Sequence, residues 1–178
     1  HKHRLLPLDY SDLNRGYPPP DKDRGISVAV KNALMQLGES HDYIIDLHSF
    51  VRPSLSAGLV LPQSNNEQTV LLETCLRVLD VDITIEMNCQ RAEEKRVASA
   101  IDNYFISRGK FVLVVEYPPA QSVSDEEIGR FADGLKRTLG LMGLWPNESV
   151  TTGRLPPRFE RQQIISQKTG LFIPIKQL

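Results

Sequence analysis

Little in this sequence points to an oxidising compartment, a membrane or a polyanion. Only two cysteines, Cys75 and Cys89, occur in 178 residues, too few for a disulfide framework. They are read as reduced thiols of a cytoplasmic protein. Charge of neither sign predominates, since 21 Lys and Arg face 22 Asp and Glu for a formal net charge of -1. That balance gives no global field to attract nucleic acid or an anionic membrane. No apolar run approaches the roughly 18–20 residues that span a bilayer. An initiator Met is absent, and no apolar stretch of signal-peptide kind follows His1-Lys2-His3-Arg4. The chain is therefore expected to be a piece of a longer protein. What is present is 40% hydrophobic and 24% charged residues, the make-up of a soluble globular domain. The length suffices for one domain and the start of another.

Hydrophobic spacing sets the expected elements. Residues 1–23, rich in Pro, Asp and Asn, read as loop. Ile26, Val30, Ala33, Leu34 and Leu37 recur at helical spacing, with Gly38 as the expected stop. Tyr43-Ile44-Ile45-Asp46-Leu47 reads as a buried strand that ends in polar residues. A second strand is expected over 57–61, a helix over 66–79, and a short strand over 82–86. Residues 93–108 read as a helix with Ala98, Ile101, Tyr104 and Phe105 facing inward. Phe111-Val112-Leu113-Val114-Val115 is the strongest strand signal, continuous and β-branched. Residues 124–143 read as an amphipathic helix, with Ser124 and Glu127 forming a capping box. Alternating strands and helices argue for an α/β layered domain with a largely buried sheet. The pattern breaks after Trp145-Pro146. Residues 147–158 read as linker, and 163–175 as strand-like with a turn at Gly170.

Three polar clusters interrupt this pattern. Asp46-Leu47-His48-Ser49 follows one buried strand and Glu116 follows another. In open α/β sheets ligands gather at the carboxyl ends of strands, where an imidazole and a carboxylate suit metal binding and proton transfer. Singly, each has a blander reading, as a hydrogen-bonded core histidine and a solvated strand end. The third cluster is Asp12-Leu13-Asn14-Arg15. Alone it is an ordinary turn. As a site, Arg15 grips a carboxylate through two parallel bonds and Asn14 adds a neutral donor. Asp46 is read as a loop cap, the usual place of a strand-end Asp, with orientation of a neighbouring group as the alternative; His41 is read as an exposed turn residue, and Arg52 as a neighbour of His48 within reach of a substrate.

The three clusters in this order resemble the succinylglutamate desuccinylase/aspartoacylase family of zinc carboxypeptidase-like hydrolases. The flanking Arg4-Leu5-Leu6-Pro7-Leu8-Asp9 and Gly16-Tyr17-Pro18 are similar to stretches around the same motif in that family, with Tyr17 and Pro19 departing from it. The resemblance covers about residues 4–145. It implies a three-layer αβα fold with a mixed, largely buried sheet, truncated here. Residues 1–146 would be the catalytic domain, and 147–178 a linker and the start of a β-rich domain. It also implies roles: His48 as one ligand to zinc, Glu116 as general base, Asn14 and Arg15 as the pair that binds the substrate carboxylate, and Arg4 as the stabiliser of the oxyanion. The expected partner is a small molecule bearing a carboxylate.

One part of the family pattern is missing. The other two zinc ligands of the family come from an upstream His-x-x-Glu motif, and no such motif occurs in this sequence. The expected activity is zinc-dependent deacylation of an N-acyl amino acid by the complete protein, with the fragment inactive alone. A metallocarboxypeptidase acting on peptides and a non-catalytic binding module are the alternatives.

Overall fold

The computed structural model describes residues 9–20, 25–50, 54–88, 98–146 and 153–160. Within them the chain runs α1 (Ile26–Glu39), β1 (Tyr43–Ser49), β2 (Ala57–Val60), α2 (Asn66–Val78), β3 (Ile83–Glu86), α3 (Ile101–Ser107), β4 (Phe111–Tyr117), α4 (Asp125–Leu141) and β5 (Arg158–Glu160). The five strands form one sheet in the order β1-β4-β2-β3-β5. β1 is parallel to β4, β2 is antiparallel to β4, and β3 is parallel to both β2 and β5. The sheet is thus mixed, as expected.

The continuous apolar sequence of β4 suits its interior place, between β1 and β2. A strand buried on both faces can be apolar at every position, and Phe111, Val112, Leu113, Val114 and Val115 are all buried. Alternation along the strand sends Phe111, Leu113 and Val115 to one face, where α2 supplies Leu72, Cys75 and Leu76. Val112 and Val114 face the other way, toward Tyr17, Tyr104 and Phe105. Helices therefore cover both faces, α2 and α4 on one side, α1 and α3 on the other. Asn65 caps α2 by accepting from Gln68 N at 2.9 Å. The Ser124–Glu127 capping box starts α4 as its sequence predicts.

Four details differ from expectation. Gly38 does not end α1, which continues to Glu39 with Ser40 as C-cap. Its missing side chain serves packing instead, because a Cβ there would lie 2.1 Å from the Phe105 ring. The apolar stripe of α1 is largely uncovered, with Leu37 62% exposed and Ile26 and Leu34 also exposed. Beside it, among the described residues, β1 pairs on one side only. In the expected 93–108 helix, Ala100 is an extended N-cap and Ala98 is exposed, whereas Tyr104 and Phe105 face inward. Finally, Arg158–Glu160, at the end of the presumed linker, adds a strand to the far edge of the same sheet. Residues 163–175 lie outside the described residues. Among the described residues no helix is long and apolar enough to cross a membrane.

The approach of α4 to the end of α2 is closest at Gly134, where a Cβ would come within 2.2 Å of the Leu79 carbonyl oxygen. A backbone atom cannot swing aside as a side chain does. Gly134→Ala is expected to lower stability by about 1–3 kcal/mol, the cost of overpacking, despite the better helix propensity of Ala. Urea unfolding of the two proteins checks this, and an unchanged midpoint would contradict it.

Candidate active site

The site is built on the β1–β4 ladder. His48 lies opposite Glu116 and Asp46 opposite Val114. Paired residues share a face of the sheet, as do residues two apart on one strand. Asp46, His48 and Glu116 therefore project to the same side, the one that carries Tyr17, Tyr104 and Phe105. On its other flank Glu116 lies opposite Ala57, fully buried and small enough to leave the carboxylate room. Both strands run two or more residues past their apolar cores, so His48 and Glu116 sit within the strands rather than after them.

The loop over 12–17 reaches this edge because it is folded by its own side chains. Asp12 Oδ1 accepts from Asn14 N at 3.0 Å, and Asp12 O from Arg15 N at 3.2 Å, an Asx turn. Gly16 adopts a positive φ of 74° that an L side chain would resist. Tyr17 OH donates to Leu13 O at 2.7 Å, and the Tyr17 N–H donates to Ser99 O at 3.1 Å. The Arg15 guanidinium donates to Asn14 O at 2.6 Å. Its charge is felt at both Asp46 and Asp102, so Arg15 stands over the same edge.

The side chain of Asn14 meets His48. Asn14 Nδ2 lies 3.1 Å from His48 Nε2, and Asp46 Oδ2 lies 2.8 Å from the same nitrogen. One ring nitrogen offers either a proton or a lone pair, so it satisfies one of the two at a time. Burial resists the charge of Asp46, but hydrogen bonds from His48 and Asp102 outweigh it and hold the carboxyl below its ordinary value. Asp46 is thus ionised and accepts the hydrogen bond that Nε2–H donates. The amide orientation of Asn14 is set independently, because its Oδ1 accepts from Ile101 N at 3.2 Å. Nδ2 is thereby held against the imidazole ring. Holding one imidazole nitrogen by a carboxylate is the usual preparation of a metal ligand at the other.

Asp46 is therefore an orienting residue, the second of the two readings of it, rather than a loop cap. Behind it lies Asp102, 5% exposed and hydrogen-bonded to Asp46. Burial, then the bond to Asp46 and its charge, push the Asp102 carboxyl up to about 7. Nothing local in the sequence marks Asp102; the one signal available was a carboxylate amid the apolar positions of an inward-facing helix. From His48, Asp46 and Asn14 a groove of about 510 Å³ runs past Leu34, Leu37 and Phe105. Glu116 and Arg15 stand outside it. His41 is exposed, as expected, and bonds to Ser40 and Leu37. Arg4 and Arg52 lie outside the described residues.

As a metal centre the described residues are incomplete. His48 fits as one ligand, through Nδ1. Among the described residues no group of three or more His, Cys, Asp or Glu is placed to hold a metal, whereas a catalytic zinc takes three protein ligands.

No protein-family profile and no curated protein sequence matches the chain. Solved structures do. A succinylglutamate desuccinylase/aspartoacylase from Rhodobacter sphaeroides matches with a TM-score of 0.74 at 17% identity, over 97% of this chain and 53% of that one. The product-bound ectoine utilization protein EutE (DoeB) from Ruegeria pomeroyi matches at 0.67 and 17%, over 90% and 47%. An aspartoacylase family protein from Mesorhizobium loti matches at 0.63 and 18%, over 88% and 45%. The chain has the fold of succinylglutamate desuccinylase/aspartoacylase proteins and spans about half the length of these structures.

The carboxylate–imidazole cluster makes the stability of the metal-free protein depend on pH. Its hydrogen bond to Asp46 raises His48 above the usual 6.5. That stabilisation is complete below 6.5 and is lost as pH rises through the raised value. Asp102 has the same sign: the folded state keeps a proton that the unfolded state releases between 3.8 and about 7, so stability falls across that window. The depressed carboxyls of Asp46, Asp9 and Asp82 act only below their usual 3.8. Metal-free protein is expected to melt at a higher temperature at pH 5 than at pH 8, and Asp46→Asn to shrink the difference. Melting curves at the two pH values check this; an equal difference in the variant would contradict it.

Proposed function

We propose that the complete protein belongs to the succinylglutamate desuccinylase/aspartoacylase family and is a zinc-dependent amide hydrolase. Its substrate would be an N-acyl amino acid or a related small molecule bearing a carboxylate. The observation that carries this reading is the register of His48 with Glu116, with the Asn14–Arg15 loop folded against the same imidazole. The shared fold and the ordered motifs support it further.

The roles are those that the resemblance implies, and the described geometry supports them in part. His48 contributes Nδ1 as one zinc ligand, and the remaining ligands come from outside the described residues. A bound zinc lowers the pKa of water to about 7 and polarises a carbonyl. Glu116, fixed next to His48, accepts a proton from the attacking water and passes it to the leaving amine. Asn14 Nδ2 and the Arg15 guanidinium anchor the carboxylate of the substrate. Arg4 offsets the charge that develops on the carbonyl oxygen.

Two experiments test this. With a single imidazole for the metal, the 178-residue chain should hold zinc weakly and show no hydrolase activity. Metal analysis after dialysis, with an activity assay, checks this; a tightly held equivalent of zinc would reveal further ligands. In the complete protein, Glu116→Gln keeps the shape and removes the base, so kcat should fall by roughly 10²–10⁴-fold with little change in KM. Arg15→Ala should chiefly raise KM and abolish the preference for a free carboxylate over its amide analogue, and Arg15→Lys should not restore it fully. Near-normal turnover by Glu116→Gln would remove the base from its assigned place.

A further inference from the structure

The face that α1 buries is not its apolar stripe. Ser27, Val28, Lys31 and Gly38 are its buried residues, and their spacing puts them on one side of the helix. Ile26, Leu34 and Leu37 stay exposed. Lys31 is only 7% exposed and is the one buried Lys or Arg among the described residues. A lysine is seldom buried, because taking its charge out of water is costly unless partners offset the loss. Here the partners belong to the loop that carries Asn14 and Arg15. Lys31 Nζ donates to Ser11 Oγ at 3.2 Å. It also lies 5.8 Å from the centre of the Tyr17 ring, a cation–π contact. A Cβ at Gly16 would come within 3.7 Å of it. Ser11 precedes the Asp12-Leu13-Asn14-Arg15 stretch, and Gly16 and Tyr17 follow it. One ammonium therefore reaches both ends of that stretch. Asp9 ties the same loop to α1 one turn earlier, where its Oδ2 accepts from Ser27 N at 3.0 Å and its Oδ1 from Ser11 N at 3.2 Å. A carboxylate is favoured at that place by the free N–H groups of the helix start. Ser99 and Ile101 hold the loop from the other side.

We propose that Lys31 is a positioning residue for the pair that anchors the substrate carboxylate: it draws both ends of the loop onto α1 and so sets where Asn14 and Arg15 stand beside His48. This rests on the function proposed above. The step served is binding rather than attack, because a carboxylate held by Asn14 and Arg15 keeps its charge while the amide is cleaved. A hydrogen bond from a charged donor changes an equilibrium by about tenfold or more. Lys31→Met keeps an unbranched apolar stem of nearly the same length and removes the ammonium.

The test compares Lys31→Met, Ser11→Ala and the double variant in the complete protein. Three readouts are taken: KM and kcat with an N-acyl amino acid, thermal melting, and the NMR signals of the Asn14 side-chain amide in the metal-free form. Those signals report the position of the loop, since Asn14 Nδ2 lies 3.1 Å from the His48 ring nitrogen. Lys31→Met is expected to raise KM about tenfold, to keep kcat within about threefold and to move the Asn14 signals. Ser11→Ala removes one partner of the ammonium and should raise KM about threefold. Added to Lys31→Met it should change little more, as for residues that act through one contact. A folded Lys31→Met protein with unaltered KM or unaltered Asn14 signals would overturn the proposal, whatever its melting temperature. So would a double variant in which the two effects simply multiply. If Lys31→Met does not fold, Ser11→Ala decides, and wild-type KM or wild-type Asn14 signals in it count against the proposal. If the wild-type protein hydrolyses no N-acyl amino acid, the function proposed above fails, and the Asn14 signals still decide whether Lys31 holds the loop.

Discussion

The parallel pairing of β1 with β4 carries the rest of the site. Its register sets His48 beside Glu116 and, two residues earlier, sends Asp46 to the same face. Side chains alternate along a strand, so a slip of one residue would put every one of these groups on the opposite face. The register is held by burial more than by the polar residues themselves. Val112 and Val114 bury against Tyr104 and Phe105 while Leu113 and Val115 bury against α2. Any shift would turn both sets against the wrong neighbours. The hydrophobic core thus fixes the relative position of the two polar groups at the strand ends.

Hydrogen bonding then divides the labour on His48. Both recorded contacts of the ring fall on one nitrogen, Nε2. Asp46 and Asn14 both reach Nε2, and the ionised Asp46 accepts the hydrogen bond of that nitrogen. The loop over 12–17 adds its own constraint, because Asp12 and Gly16 shape it locally while Ser99 and Ile101 attach it to the segment entering α3. Three stretches remote in sequence meet at one imidazole. Each is anchored by backbone bonds, so the geometry does not depend on long flexible side chains.

Much of this was legible in the sequence, but unevenly. The β4 run and the Ser124–Glu127 cap are local signals, and local physics produced them. The convergence of Asn14, His48 and Glu116 on one edge was legible because strand ends of an α/β sheet gather there. Asp102 was not legible, since its partner lies on a strand far away in the chain and no spacing rule links the two. Periodicity showed that Ile26, Leu34 and Leu37 share a face, but periodicity cannot say whether that face is covered. Gly38 ended a periodic run, which fits a C-cap equally well as a close contact, and only the position of the Phe105 ring decides between them.

The β1–β4 ladder also has a kinetic side. β2, α2, β3 and α3 all lie between its two strands in the chain. A parallel pair separated in this way closes a long loop before its hydrogen bonds offset the entropy lost, whereas α2 or α4 forms from neighbours in sequence. The ladder is therefore a late event of folding. A partly folded molecule carries its helices and the apolar β4 run before His48 and Glu116 become neighbours. The edge that carries His48 and Glu116 thus comes together only when strands far apart in the chain pair.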